Sequence, residues 1–276
     1  MNVIGEVIKF FDSKMTTPEM YGAFHLTFFV LAIALGILLC IIFKNPSTKT
    51  VRRVILVTTL TVIAFEIYKQ LNYTFSYDGT AISANYQWYA FPFQFCSTPM
   101  YVGLMAALFN KGKVHDSMCA FLATFATFAG LGVMFYPATV FIDTIGINIQ
   151  TMICHGTMIS IGIFLLGSGY VRSNYKTLLK AVPVFCSFVL IAAILNEIAH
   201  LSGLLETHTF NMFFISPYCE PSLPVYSLVQ GAVPFPFCLI LYVIGFSAAA
   251  GAVLGLSALI RLIFIRNTKK SESVSA

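Results

Sequence analysis

The stretch YGAFHLTFFVLAIALGILLCIIF, residues 21–43, carries no charged side chain apart from a possible charge on His25, and it stops abruptly at Lys44. An α-helix rises about 1.5 Å per residue, so this run is long enough to cross the roughly 30 Å hydrocarbon core of a bilayer. Six further stretches read the same way: 54–73, 87–109, 114–136, 149–171, 181–205 and 230–263. The expected fold is therefore all-α, a polytopic bundle of seven transmembrane helices. Composition agrees, because 58% of the chain is hydrophobic and only 10% is charged. Soluble domains carry roughly 25% charged residues to cover a water-facing surface.

The loops decide the orientation. Lys44, Lys49, Arg52 and Arg53 follow the first span, Lys111 and Lys113 lie in the third loop, and Arg172, Lys176 and Lys180 in the fifth. Arg261, Arg266, Lys269 and Lys270 close the chain. The second, fourth and sixth loops hold Asp78, Asp143, Glu206 and Glu220 but no Lys or Arg. Positive charge resists export, so the basic side is cytoplasmic, the N-terminus is outside and the C-terminus inside. The net charge of +5 is explained by topology, and no nucleic-acid partner is expected.

One membrane domain, residues 21–265, sits between an N-terminal interfacial arm (1–20) and a cytoplasmic tail (266–276) that reads as frayed. The arm lacks the apolar core of a signal peptide. Its Val3, Ile4, Val7, Ile8, Phe10 and Phe11 instead fit one face of a short helix lying on the membrane. Of the seven cysteines only Cys219 falls in an external loop, so no disulfide framework is legible. Gly167, Gly169, Gly251 and Gly255 read as close-packing positions between helices.

An ionisable group inside a span costs at least about 2.5–3.5 kcal/mol at the bilayer centre, so each requires a reason. His25, Glu66, Lys69, His155, Glu197 and His200 are such groups, joined by Gln94 and Asn196. All fall in the outer halves of their spans, which suggests one shared chamber. Glu66 and Lys69 stand three apart and can neutralise each other. Glu197 and His200 have the spacing of a metal half-site, but no second such pair occurs; neither a metal nor another cofactor is expected.

The third span opens QWYAFPFQFCSTPMY, residues 87–101, with Cys96 between Pro92 and Pro99. Each proline removes a backbone hydrogen bond, and irregular backbone survives in a membrane only inside protein or a wet cavity. The fifth span contains TMICHGTM, residues 151–158. Helical rise sets Cys96 about 14 Å and His155 about 9 Å below the outer boundary, a gap that tilt and a bend can close. Histidine is the common activator of a cysteine nucleophile.

Four landmarks in this order, Phe24-His25-Leu26, Glu66, Pro92-x-x-x-Cys96-Ser97 and His155-Gly156, resemble the YwaF-type family of bacterial membrane proteins and its animal relative, the transmembrane protein 164 family. The resemblance runs from about residue 21 to 265. It implies a cysteine-dependent acyltransferase acting on ether phospholipids, with Cys96 as acyl acceptor and His155 as general base. More distant relatives, the androgen-induced-protein-like hydrolases, use a threonine with a histidine, which keeps Thr98 and Ser97 open as nucleophiles.

Two functions therefore stand side by side. One is a lipid acyltransferase or hydrolase in the cell membrane, multi-pass, with a phospholipid or other acyl lipid as partner. In it Glu66 or Glu197 orients a histidine, and Gln94 or Asn196 faces a developing oxyanion. The other is a small-solute or proton-coupled transporter that uses Glu66, Lys69, Glu197 and His200 as a relay or as counter-charges. A structural subunit is the third reading. The charge pattern makes its own prediction: a reporter active only outside the cytoplasm will work when fused at residue 1 and fail when fused after residue 276. The reverse result would invert the topology.

Overall fold

In the computed structural model the described backbone comprises residues 3–137, 140–220 and 226–275, with side chains described as far as residue 263. The elements are α1 (Val3–Phe11), α2 (Ala23–Ile42), α3 (Thr48–Asn72), the strands β1 (Phe75–Tyr77) and β2 (Ile82–Ala84), and α4 (Thr98–Leu108). There follow α5 (Lys113–Phe121), α6 (Thr127–Phe135), α7 (Ile145–Gly167), α8 (Tyr175–Leu201) and α9 (Phe235–Ser275). A π-helical turn, Leu122–Ala126, joins α5 and α6 into one rod, and the Thr127 hydroxyl donates to the Leu122 carbonyl five residues back. Six helices among the described residues are long and apolar enough to cross a membrane: α2, α3, the α5–α6 rod, α7, α8 and the first 29 residues of α9. The protein is a multi-pass helical membrane protein.

The remaining expected span, 87–109, is not a continuous helix. Trp88–Ala90 and Phe95–Ser97 are 3-10 turns, and α-helix begins only at Thr98. The apolar helical stretch Phe95–Leu108 is shorter than the other six. Proline explains both features. Pro92 pushes Phe91 into extended backbone (φ −47°, ψ 134°), because a residue before proline clashes in the α region. Pro99 lies in the first turn of α4, where no N–H is needed, so it starts a helix rather than bending one. The carbonyl of Pro92 is taken up by the Tyr101 hydroxyl at 2.7 Å.

A second irregular segment links α8 to α9, and the two repair each other. The Gln94 amide donates to the Asn211 carbonyl (3.0 Å) and its oxygen accepts from Phe213 N–H (3.1 Å). Asn196 holds both backbone groups of Met212, accepting from its N–H at 2.7 Å and donating to its carbonyl at 3.0 Å. Phe213, at φ 58°, buries its ring among Phe93, Phe95 and Phe185 and gives its carbonyl to the Tyr242 hydroxyl.

Helix α7 is the axis of the bundle, packed on α2, α3 and α6. Close approach depends on glycine. A Cβ at Gly130 would lie 2.7 Å from the His155 carbonyl, and one at Gly162 would collide with the Thr127 hydroxyl. Of the small residues singled out in the sequence, Gly167 meets the Cys40 sulfur, whereas nothing lies against Gly255.

The N-terminal arm forms its short helix, α1, with Val3, Ile4, Val7 and Phe10 exposed. Tyr68 and Asn72 of α3 donate to the Phe11 carbonyl, Met15 N–H to the Asp143 carbonyl, and Lys14 pairs with Asp12 and Asp143. In the β1–β2 turn, Asp78 accepts from the Ala81 and Thr80 N–H groups and the Thr80 hydroxyl, which hold its carboxyl down to about 2. The basic loops meet at the other end. There Arg52 caps the Ala107 and Leu108 carbonyls of α4, Lys180 pairs with Asp116, and Arg261 reaches the Leu166 carbonyl. The backbone of α9 stays helical through the stretch expected to fray, since neither glycine nor proline interrupts it after Gly255. Ala276 lies outside the described residues.

The clamp on the α8–α9 loop is testable. Asn196→Leu strands two buried backbone groups of Met212, each costing about 1–3 kcal/mol. The melting temperature in detergent should fall by several degrees, and an unchanged value would show that the loop is held by other contacts.

Candidate active site

Three elements converge near the middle of the bundle. Val62, Ile63 and Phe65 of α3, Met100 and Tyr101 of α4 and Cys154 of α7 form one apolar cluster. One helical turn beyond Val62 is Glu66, four residues before Met100 is Cys96, and next to Cys154 is His155. The 3-10 turn that carries Cys96 packs against α6, and Gly130 of α6 lies on the His155 carbonyl. Cys96 is partly exposed; Cys154 and His155 are buried.

Glu66 anchors a network. Its Oε1 accepts from the Lys69 ammonium at 2.8 Å and from the Gln70 amide at 2.8 Å. Gln70 also donates to the Ala90 carbonyl (2.8 Å) and accepts from the Tyr86 hydroxyl (2.7 Å), which ties α3 to the irregular third segment. The Lys69 and Glu66 side chains are only 14% and 8% exposed.

His155 has an unusual hydrogen-bond balance. Its Nδ1 lies 2.7 Å from the Thr151 carbonyl, which can only accept, so Nδ1 carries the proton. Nε2 is then a bare lone pair, and it is buried with no partner among the described residues. A neutral imidazole with a free, oriented nitrogen is a proton acceptor in waiting. Beneath it, a cavity of about 30 Å³, lined by Val62, Pro99, Met100, Thr157 and Met158 among others, has room for little more than a water molecule.

The polar groups read as one chamber divide into separate sets. His25 is saturated, since its Nδ1 accepts from Tyr21 N–H (3.0 Å) and its Nε2 donates to the Met134 carbonyl (2.8 Å); it latches α2 to α6. Gln94 and Asn196 have both ends occupied by the α8–α9 loop. Glu197 and His200 are exposed near the end of α8, where Glu197 accepts from Tyr218 and the His200 ring stacks on the same tyrosine at 3.6 Å. Glu66, Lys69, Cys96 and His155 remain on the segments that converge here, with no hydrogen bond between Cys96 and His155 among the described residues, and four groups the sequence did not single out stand beside them. Gln70, one turn from Glu66, and Cys154, adjacent to His155, were legible from spacing. Tyr86 and Tyr101 lie in different segments from their partners, and no local pattern announces them.

A multi-pass helical membrane protein with a partly exposed cysteine, a buried histidine bonded through one nitrogen only and a buried carboxylate–ammonium pair is the class this geometry defines. The model of the TMEM164 family matches residues 20–257, most of the chain, and the chain belongs to that family. Neither a curated protein nor a solved structure matches it.

The ion pair predicts a stability signature. Glu66→Gln leaves the Lys69 charge unpaired and Lys69→Met leaves that of Glu66, so each should destabilise by about 3–5 kcal/mol. The double change should recover most of that loss in a thermal-melt cycle. Additive losses would show that the two groups are not coupled.

Proposed function

We propose that this protein is a membrane-embedded acyl-transfer enzyme acting on lipid, with Cys96 as nucleophile and His155 as its general base. The observation that carries this reading is the free Nε2 of His155. A buried nitrogen without a partner is costly in a purely structural histidine, and it has the form a base needs before substrate arrives. Membership of the TMEM164 family supports the choice of cysteine. So does the Thr98 hydroxyl, which is buried and donates to the Phe95 carbonyl within its own turn, leaving Cys96 as the better nucleophile of the stretch.

In the proposed reaction, Nε2 removes the thiol proton and the thiolate attacks the ester carbonyl of a membrane phospholipid. The tetrahedral intermediate collapses by breaking the C–O bond, and the imidazolium returns the proton to the departing lysolipid oxygen. The acyl group is held as a Cys96 thioester until an acceptor hydroxyl, activated by the same nitrogen, takes it. Water as acceptor would make the reaction a hydrolysis.

The topology we infer is seven crossings of the cell membrane, residues 87–108 forming the third. The N-terminus is outside and the C-terminus cytoplasmic. The segregation of basic loops to one end, with Arg52, Lys180 and Arg261 bonded there, supports it. A transporter relay through Glu66, Lys69, Glu197 and His200 lacks comparable support, because the last two stand apart at the end of α8 with Tyr218.

Purified protein in vesicles containing a phospholipid with one labelled acyl chain, supplied with a lysophospholipid, tests the reading. Wild type should transfer label and show a hydroxylamine-sensitive mass increase on Cys96. Cys96→Ala should abolish both, and His155→Ala should lower transfer by about 100-fold or more. Undiminished transfer by Cys96→Ala would end the thioester mechanism.

A further inference from the structure

An acyl transfer through Cys96 generates a negative oxygen on the attacked carbonyl, and low-dielectric surroundings leave it unstable unless a donor is already in position. The two side-chain amides suggested by the sequence are committed elsewhere, since Gln94 and Asn196 are each clamped through both oxygen and nitrogen to Asn211, Phe213 and Met212. Lys69 has the opposite property. Its ammonium has three N–H donors, and among the described residues its only side-chain partner is Glu66, at 2.8 Å. Two donors are left over on a mostly buried cation. Lipid tails offer them nothing, so an anion from substrate is the natural complement.

The surroundings preorganise that cation. Glu66 fixes its direction, Gln70 holds Glu66, and the Ala90 carbonyl and Tyr86 hydroxyl hold Gln70. The same network runs into the irregular segment that carries Cys96. Val62 and Phe65, on the same helix as Lys69, pack in one cluster with Met100, four residues after Cys96, and with Cys154, the neighbour of His155. A base with an unpartnered nitrogen and a cation with donors to spare thus stand on segments that pack together.

We propose that Lys69 is the electrophilic catalyst of the site: its ammonium donates to the oxyanion formed when the Cys96 thiolate adds to the acyl carbonyl. The inference rests on the acyl-transfer reading. As the C–S bond forms, the carbonyl π pair moves to oxygen and is held by a Lys69 N–H. As the C–O ester bond breaks, that pair returns to re-form the carbonyl of the thioester, and the proton on His155 goes to the lysolipid alkoxide. Lys69 neither gains nor loses a proton. Glu66 is a positioning residue, acting only through Lys69.

The test compares Lys69→Met, Lys69→Arg and the charge-neutral double variant Glu66→Gln/Lys69→Met, which avoids leaving a lone buried charge. Two reactions are measured on each: phospholipid-to-lysophospholipid acyl transfer, and alkylation of Cys96 by iodoacetamide across pH. Alkylation requires the thiolate but forms no oxyanion. Both Met-containing variants should lose about 100-fold or more in kcat with little change in KM, as expected for one lost oxyanion donor. Their limiting alkylation rate at high pH should stay near wild type, and Lys69→Arg should retain part of the activity. Equal losses in acyl transfer and limiting alkylation, a loss confined to KM, or full activity in the double variant would each overturn the role of Lys69. If Lys69→Met does not fold, the double variant decides. Failure of the underlying reading is distinguishable, because it appears as wild-type transfer by Cys96→Ala whatever Lys69 does.

Discussion

A bilayer supplies no hydrogen bonds, so any backbone that leaves helical geometry within it must be satisfied by other parts of the protein. Among the described residues, 87–97 and much of the connection between α8 and α9 leave regular α-helix, and the two are held to each other by side-chain bonds. Gln94 and Asn196 give their amides to the loop, Tyr101 and Tyr242 give their hydroxyls to freed carbonyls, and a cluster of phenylalanines seals the junction. The reward for tolerating a broken third segment is a cysteine held on a 3-10 turn instead of within a regular helix.

The second constraint is charge. Glu66 and Lys69 would be expensive apart, and together they form a pair whose partners extend through Gln70 to Ala90 and Tyr86. The pair does not use all its hydrogen-bonding capacity, and neither does His155, whose ring is locked by Thr151 on one side and bare on the other. Most other buried polar side chains in this bundle are satisfied. Ser168, Tyr226, Gln230 and Ser247 also carry a buried atom without a partner among the described residues, but only where α3, α4 and α7 converge does such an atom share its surroundings with a buried ion pair.

Helical rise assigned His25, Gln94, Asn196, Glu197 and His200 an expected level close to that of Glu66 and His155, and it carried no information about neighbours. Which way each points depends on helix rotation, and rotation is set by packing. The glycines of α6 and α7 bring those helices into contact and orient His155, while His25 is turned toward Met134 of α6 and away from the site. The prolines flanking Cys96 signalled irregularity, but their opposite effects, one breaking a helix and one starting it, depend on where the first turn of α4 falls.

What the sequence determined alone was a membrane protein with long apolar helices, charge gathered at one end, a short amphipathic N-terminal helix and an acid–base pair three residues apart. Each of these follows from local properties: hydrophobic length, loop composition, and helical period. Only the tertiary structure decided that the third segment is not one continuous helix, that Gln94 and Asn196 are clamps, and that Glu197 and His200 belong to an exposed tyrosine contact. It alone showed that Lys69 has one side-chain partner and that one nitrogen of His155 has none among the described residues. Satisfaction of a polar atom is a property of all its neighbours at once, and those neighbours come from segments far apart in the chain.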